Sequence, residues 1–220
     1  MNILLIRPGG LLERSIIPLT AVSRIDLDTA VNDRDNNTLF TIGHSTRTVE
    51  DFIQLLKENN VARVIDIRTI TRSRHNPQFS GDTLPETLSK VSLSYQPMAG
   101  LGGLRHAHPD SPNLGWHNAS FRGFADYMQT AEFKDNLQAL IDLARKDVIA
   151  LMCAEAVPWR CHRSLIADAL IIRGVIVEHI FSHTNRRTHV LTPWARITDK
   201  NIIYSPSDVL PSGAGVMKGE

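Results

Sequence analysis

From residue 39 onward, apolar and polar positions follow a regular rhythm. Residues 39–42 form a short apolar run ended by Gly43-His44-Ser45 and read as a strand. Thr48, with Asp51 three residues on, predicts the N-cap of a helix with Val49, Phe52, Ile53 and Leu56 on one face. Residues 61–67 predict a second strand, ending in Asp66-Ile67-Arg68. A polar, arginine-rich loop (69–80) leads to a short helix with Leu84, Leu88 and Val91 on its apolar side, and residues 93–96 to a third strand. The segment 97–120 is rich in Gly, Pro and His, and a loop of that length in a compact domain usually has a function or moves. Residues 121–127 read as helical, and Thr130 opens a stronger helix carrying Phe133, Leu137, Leu140, Ile141 and Ala144. The unbroken run 148–152 predicts a strand buried on both faces. A polar loop (154–160) follows, then a helix from about 161, with Leu165, Ile166, Ala169, Leu170 and Arg173 at helical spacing and Gly174 as its stop. Residues 175–181 read as a fifth strand.

Alternating strands and helices of this kind predict an α/β fold: a three-layer α/β/α sandwich around a mostly parallel, Rossmann-like sheet. Three segments are expected: an N-terminal appendage with a polar linker (1–37), one α/β domain (38–197), and a flexible tail (198–220). In a parallel sheet every strand has its carboxyl end on the same edge, where such folds hold ligands. That edge would gather His44 and Ser45, Asp66 and Arg68, Cys153 and Glu155, and Ser182 and His183. The geometric expectation is one pocket lined by His44, Asp66, Arg68, Glu155, Cys161 and Arg163, with residues 97–120 covering it as a lid.

Composition narrows the function classes. With 42% hydrophobic and 21% charged residues, the chain is an ordinary globular one. A net charge of +1 argues against a protein that coats nucleic acid. Of the 24 basic residues, 18 are arginine, the side chain suited to planar recognition of phosphate or carboxylate. The apolar residues 2–6 are cut off by Arg7-Pro8-Gly9-Gly10, and no run approaches a membrane span. Two cysteines without a secretory leader are expected in a reduced, cytoplasmic setting.

Both cysteines fall in the strand-loop-helix unit, together with Glu155, Trp159, Arg160, His162 and Arg163. At a helix start and among cationic neighbours, Cys161 would be stabilised as a thiolate. Packing alone would account for Cys153 at a buried strand end. A metal site of Cys153, Cys161 and His162, with Glu155 or His44 as a fourth ligand, is conceivable, but no C-x-x-C pair is present. Arg163 beside free helical N–H groups suggests an anion nearby.

Several motifs recur in order: Thr41-Ile42-Gly43-His44-Ser45, Asp66-Ile67-Arg68, Ser73-Arg74-His75-Asn76-Pro77-Gln78-Phe79, Leu101-Gly102-Gly103, residues 121–128, and Cys153-Ala154-Glu155 through Cys161-His162-Arg163. Together they resemble the prokaryotic family known as domain of unknown function 488, over roughly residues 39–182. The resemblance implies an α/β domain with these motifs gathered at one site, and brings no established reaction, substrate or cofactor. The family pattern differs from this chain at Ile67 and His117, and residues 1–37 lie outside it.

The reading that follows is an enzyme, transferase or hydrolase, acting on a small anionic substrate such as a nucleotide or other phosphorylated metabolite. Cys161 would be the nucleophile, with His162 or His44 adjusting its protonation and Glu155 or Asp66 as general acid or base. Arg163, Arg68, Ser45 and Arg122 would bind the anion. Two alternatives belong to other classes: a metal-binding or thiol redox module without turnover, and a nucleic-acid-associated protein.

Overall fold

The computed structural model of the chain describes residues 38–206. The expected appendage 1–37 and the end of the expected tail, 207–220, lie outside the described residues.

Strand β1 (Thr38–Gly43) leads into helix α1 (Val49–Glu58), whose N-cap is Thr48 as its spacing predicts: the Asp51 N–H donates to Thr48 Oγ1 at 3.1 Å. Next come β2 (Arg63–Asp66), α2 (Leu84–Ser89) and β3 (Ser94–Pro97). Beyond the long loop lie α3 (Ala119–Tyr127) and α4 (Ala131–Ala144), capped by Asn118 and Thr130 respectively. The chain then forms β4 (Ile149–Cys153), α5 (Arg163–Ile171) and β5 (Ile176–Ser182), followed by β6 (Asn185–Thr188), β7 (Ala195–Thr198) and β8 (Asn201–Tyr204).

The main sheet has the order β3-β2-β4-β1-β5-β6, and its first five strands are mutually parallel. Only β6, paired with β5, is antiparallel. All five residues of β4 are buried, as expected of a strand covered on both faces. One face packs α1 and α2 through Phe52, Leu55, Leu56, Leu84 and Leu88 against Phe40, Ile42, Val64 and Met152. The other packs α3, α4 and α5 through Phe124, Phe133, Leu137, Leu165 and Ile166 against Leu39, Ile65, Leu151 and Val177. Successive side chains of each strand therefore serve opposite layers, and the three-layer α/β/α sandwich is established.

The expected boundary at 197 needs correction. The hairpin β7–β8 packs on the α5 face: Tyr204 is fully buried and donates its hydroxyl to Asp168 at 2.9 Å, and Ala195 and Ile202 join that core. The domain extends at least through β8. The alternation in 195–204 is too short and too polar to be told from a loop by pattern.

This topology positions the site. Helix α1, after β1, goes to one face, while α5, after the neighbouring strand β4, goes to the other. A switch of this kind opens a crevice between the two strand ends, where open α/β sheets hold ligands.

Candidate functional site

The loop after β4 is pressed onto the end of β1. The ladder continues past both strands, with His44 N–H donating to Cys153 O at 2.9 Å and Ser45 N–H to Ala154 O at 3.0 Å. A Cβ at Gly43 would stand 2.0 Å from Glu155 O, so only glycine permits this approach. Pro158 opens a single 3₁₀ turn (Pro158–Arg160), after which Cys161 is extended and His162 caps α5. The loop thus folds Cys161 back over the strand end, and its Sγ lies 2.9 Å from that of Cys153. Both thiols are buried and unpaired by disulfide.

The two sulfurs are electrically unequal. The hydrogen bond from Cys153 lowers the pKa of Cys161 well below the ordinary thiol range against the opposing effect of burial, and His162 and Arg163 add to the lowering. Burial, then the bond to Cys161, raises Cys153 well above that range. These directions favour Cys161 as the sulfur that loses its proton and Cys153 as the one that keeps it. The Arg163 N–H points at Cys161 Sγ from 3.5 Å, so that sulfur occupies the start of α5. His162 Nδ1 lies 3.6 Å from the same sulfur, while its Nε2 donates to Ile67 O at 3.2 Å. That carbonyl orients the ring with Nδ1 toward the sulfur. Phe124, with its ring centroid at 5.0 Å, packs beside it.

Arg163 is the unusual member. Its side chain is buried (1% exposed), and its NH2 group donates to Glu155 O at 2.7 Å and Ala156 O at 3.3 Å. Its Nε has no partner, and among the described residues no carboxylate lies within ion-pair distance of it. A buried cation without a counter-ion is costly, by several kcal/mol for an isolated charge. The Arg163 charge acts to lower the pKa of Cys161.

A second network adjoins the first. Asp66, fully buried, is gripped by Arg68 through Nε at 2.9 Å and NH2 at 2.5 Å, and accepts the Tyr95 hydroxyl at 2.6 Å. Arg68 also donates to Phe79 O at 2.8 Å and, through NH1, to His44 Nε2 at 3.3 Å. His44 Nδ1 donates to Ser45 O at 2.9 Å, and its ring stacks on Phe79 at 4.4 Å. Burial, reinforced by the Arg68 and Arg163 charges, lowers its pKa to about 4 even though the Ser45 carbonyl acts to raise it. His44 is thus a neutral ring with both nitrogens engaged, and the histidine beside Cys161 is His162.

The structure brings His44, Asp66, Arg68, Cys161, His162 and Arg163 to one edge, with Asp66 on the strand next to β4. It does not bring all the expected side chains there. Glu155 contributes its carbonyl to Arg163, but its carboxylate is exposed and turns to the Ala156 N–H. Ser45 lies at the rim in the left-handed region (φ 47°), with its backbone as its link to the site. Arg122 sits on α3, donates to Trp116 O at 3.2 Å and lines a separate cavity of about 540 Å³ with His106 and His108. His183 pairs with Asp51 and Glu58 instead. Among the described residues, no group of three or more His, Cys, Asp or Glu is arranged to hold a metal ion.

The expected lid is narrower than residues 97–120. Only its first part crosses the edge: Leu104 N–H reaches Thr69, and a Cβ at Gly103 would meet the His162 ring at 2.4 Å. From His108 the segment is tied down instead by Asp126, which accepts from His108 N, Ser111 and Asn113, and by Tyr204.

Some groups that matter here gave little sign of themselves in the sequence. Tyr95 has no sequence neighbour that points to Asp66. A buried chain runs from Thr41 to His179 (2.7 Å), His189 (3.0 Å) and Asp168 (2.8 Å), closed by Thr192 and Tyr204. His179 does carry a signal, because it stands two residues after Val177 at a core-facing position of β5.

Fold and site together define an α/β protein with a two-cysteine site at the topological switch point of its sheet. The chain belongs to the family described as Domain of unknown function DUF488, whose match spans residues 48–170, more than half of its length. No curated protein and no solved structure matches it. Cys153, Cys161, His162 and Arg163 fall within the matched span, and His44 precedes it. No helix among the described residues is long and apolar enough to cross a membrane.

Proposed function

We propose that the protein is a cysteine-dependent enzyme, of transferase or hydrolase class, in which the Cys161 thiolate attacks a small anionic substrate drawn by Arg163. The observation that carries this reading is the buried Arg163 guanidinium without a carboxylate, on the residue whose backbone N–H points at Cys161 Sγ at a helix start and whose charge acts to lower the Cys161 pKa. Once a substrate consumes the thiolate charge, Arg163 is left to balance an anionic substrate or leaving group. His162 would take and return the proton at Nδ1, held in orientation by Ile67 O. The Asp66–Arg68–His44 network would position the edge, with no atom free for proton transfer. The burial of Cys161 (7% exposed) favours a small substrate over a macromolecule, and a chain with only two cysteines suits a cytoplasmic setting.

The test is alkylation of Cys161 by iodoacetamide as a function of pH, in the native chain and in Arg163→Met. A thiolate-type profile that persists well below pH 8 in the native chain, and moves to higher pH in the variant, is expected. A break in the ordinary thiol range in the native chain overturns the reading. The 2.9 Å sulfur separation also favours a second reading, a reversible dithiol without turnover, which predicts disulfide formation and no released product.

A further inference from the structure

Phosphoryl transfer needs a cradle of free N–H groups for the phosphate oxygens, and the start of α5 does not offer one. The Arg163 N–H is directed to Cys161 Sγ, that of Ser164 to Cys161 O, and those of Leu165 and Ile166 to His162 O. What the site offers is one thiolate, one adjacent thiol 2.9 Å away, and a buried cation with an unpartnered Nε. This arrangement suits transfer of a single atom to sulfur, followed by attack of the second sulfur. Hydroperoxides, which donate oxygen, are neutral, whereas sulfane-sulfur donors such as thiosulfate are small anions and match the uncompensated Arg163.

We infer that the site accepts sulfane sulfur from a small thiosulfonate-type anion onto Cys161 and that Cys153 then releases it as sulfide. The inference rests on Cys161 being the nucleophile. In the first step the Cys161 thiolate attacks the outer sulfur of thiosulfate. A new S–S bond forms, the original S–S bond breaks, and sulfite leaves with the electron pair, so that Cys161 carries a persulfide. Arg163 balances the sulfite charge as it develops. In the second step Cys153 gives up its proton and attacks the Cys161 Sγ. The Cys153–Cys161 disulfide forms, the persulfide S–S bond breaks, and the outer sulfur leaves as hydrosulfide with that proton. Two molecules of a low-molecular-weight thiol then reduce the disulfide and are themselves oxidised to a disulfide. The balance is one thiosulfate and two thiols in, one sulfite, one sulfide and one thiol disulfide out. The second step needs no large rearrangement, because the two sulfurs are already in contact.

The experiment uses the reduced full chain with thiosulfate as the probe, and reads sulfite, sulfide and the mass of the cysteine peptides. The native chain is expected to release sulfite and sulfide together and to end as the Cys153–Cys161 disulfide. Cys153→Ser is expected to release sulfite, retain one added sulfur on Cys161 and lose sulfide release. Cys161→Ser is expected to release neither. Iodoacetamide labelling of each protein is run in parallel. If Cys161 alkylates as a thiolate but thiosulfate yields neither sulfite nor added sulfur, the nucleophile stands and the sulfur-transfer inference falls. If it does not alkylate as a thiolate, both fall. Disulfide formation with hydrogen peroxide but not with thiosulfate overturns the inference in favour of oxygen donors.

Discussion

Replacing Cys153 by alanine isolates the interaction that holds Cys161 ionised. The Cys153 S–H is the first and largest cause of the lowered Cys161 pKa, across a 2.9 Å separation. A hydrogen bond to a charged group contributes about 1.5–3 kcal/mol. At about 1.4 kcal/mol per factor of ten, its loss moves the thiolate–thiol balance of Cys161 roughly ten- to hundredfold toward the thiol. The midpoint of the iodoacetamide alkylation profile should therefore move to higher pH in Cys153→Ala, with the rate on the alkaline plateau little changed. Cys153→Ser keeps a donor at the same position and should retain most of the native profile. Mass spectrometry of the Cys161 peptide against pH gives the measurement directly. Coincident profiles for the native and alanine proteins would refute the assignment of donor and thiolate.

Gly103→Val should displace the His162 ring, because a Cβ at that position already meets it at 2.4 Å; Cys161 alkylation should slow at neutral pH while circular dichroism stays native. Arg68→Met leaves Asp66 buried without its ion-pair partner and should cost about 3–5 kcal/mol in urea denaturation. Burial holds His44 at about 4 and His179 at about 3, both below the unfolded value of 6.5. From 6.5 down to those values the unfolded chain binds the extra protons, so stability falls as pH drops and the effect levels off below them. For His44 alone this is roughly 3 kcal/mol, and His44→Gln should flatten the stability profile between pH 6.5 and 4; an unchanged slope would contradict its neutral burial.

Much of the site could be read from local pattern because its residues end strands or start helices. The apolar run before Cys153, the proline-containing loop and the Leu165/Ile166 spacing define a strand-loop-helix unit by short-range rules alone. Parallel pairing then obliges His44, Asp66 and Cys153 to share an edge, whatever their separation in sequence. Sequence could not decide which side chains face inward from loops. Glu155 gives its carbonyl to Arg163 and turns its carboxylate to solvent, and Arg122 follows the α3 surface away from the edge. Nor could eight residues of separation reveal that Cys161 returns to within 2.9 Å of Cys153, since that depends on Gly43 admitting the loop and Pro158 turning it. The β7–β8 hairpin was likewise hidden, because what stabilises it is not its own pattern but Tyr204 reaching Asp168 and the tryptophans packed beside it. Local chemistry fixes which segments become strands and helices and which strand ends meet. The charge state of Cys161, the isolation of Arg163 and the identity of the partner thiol arise only when separate loops are pressed together in a space that excludes water.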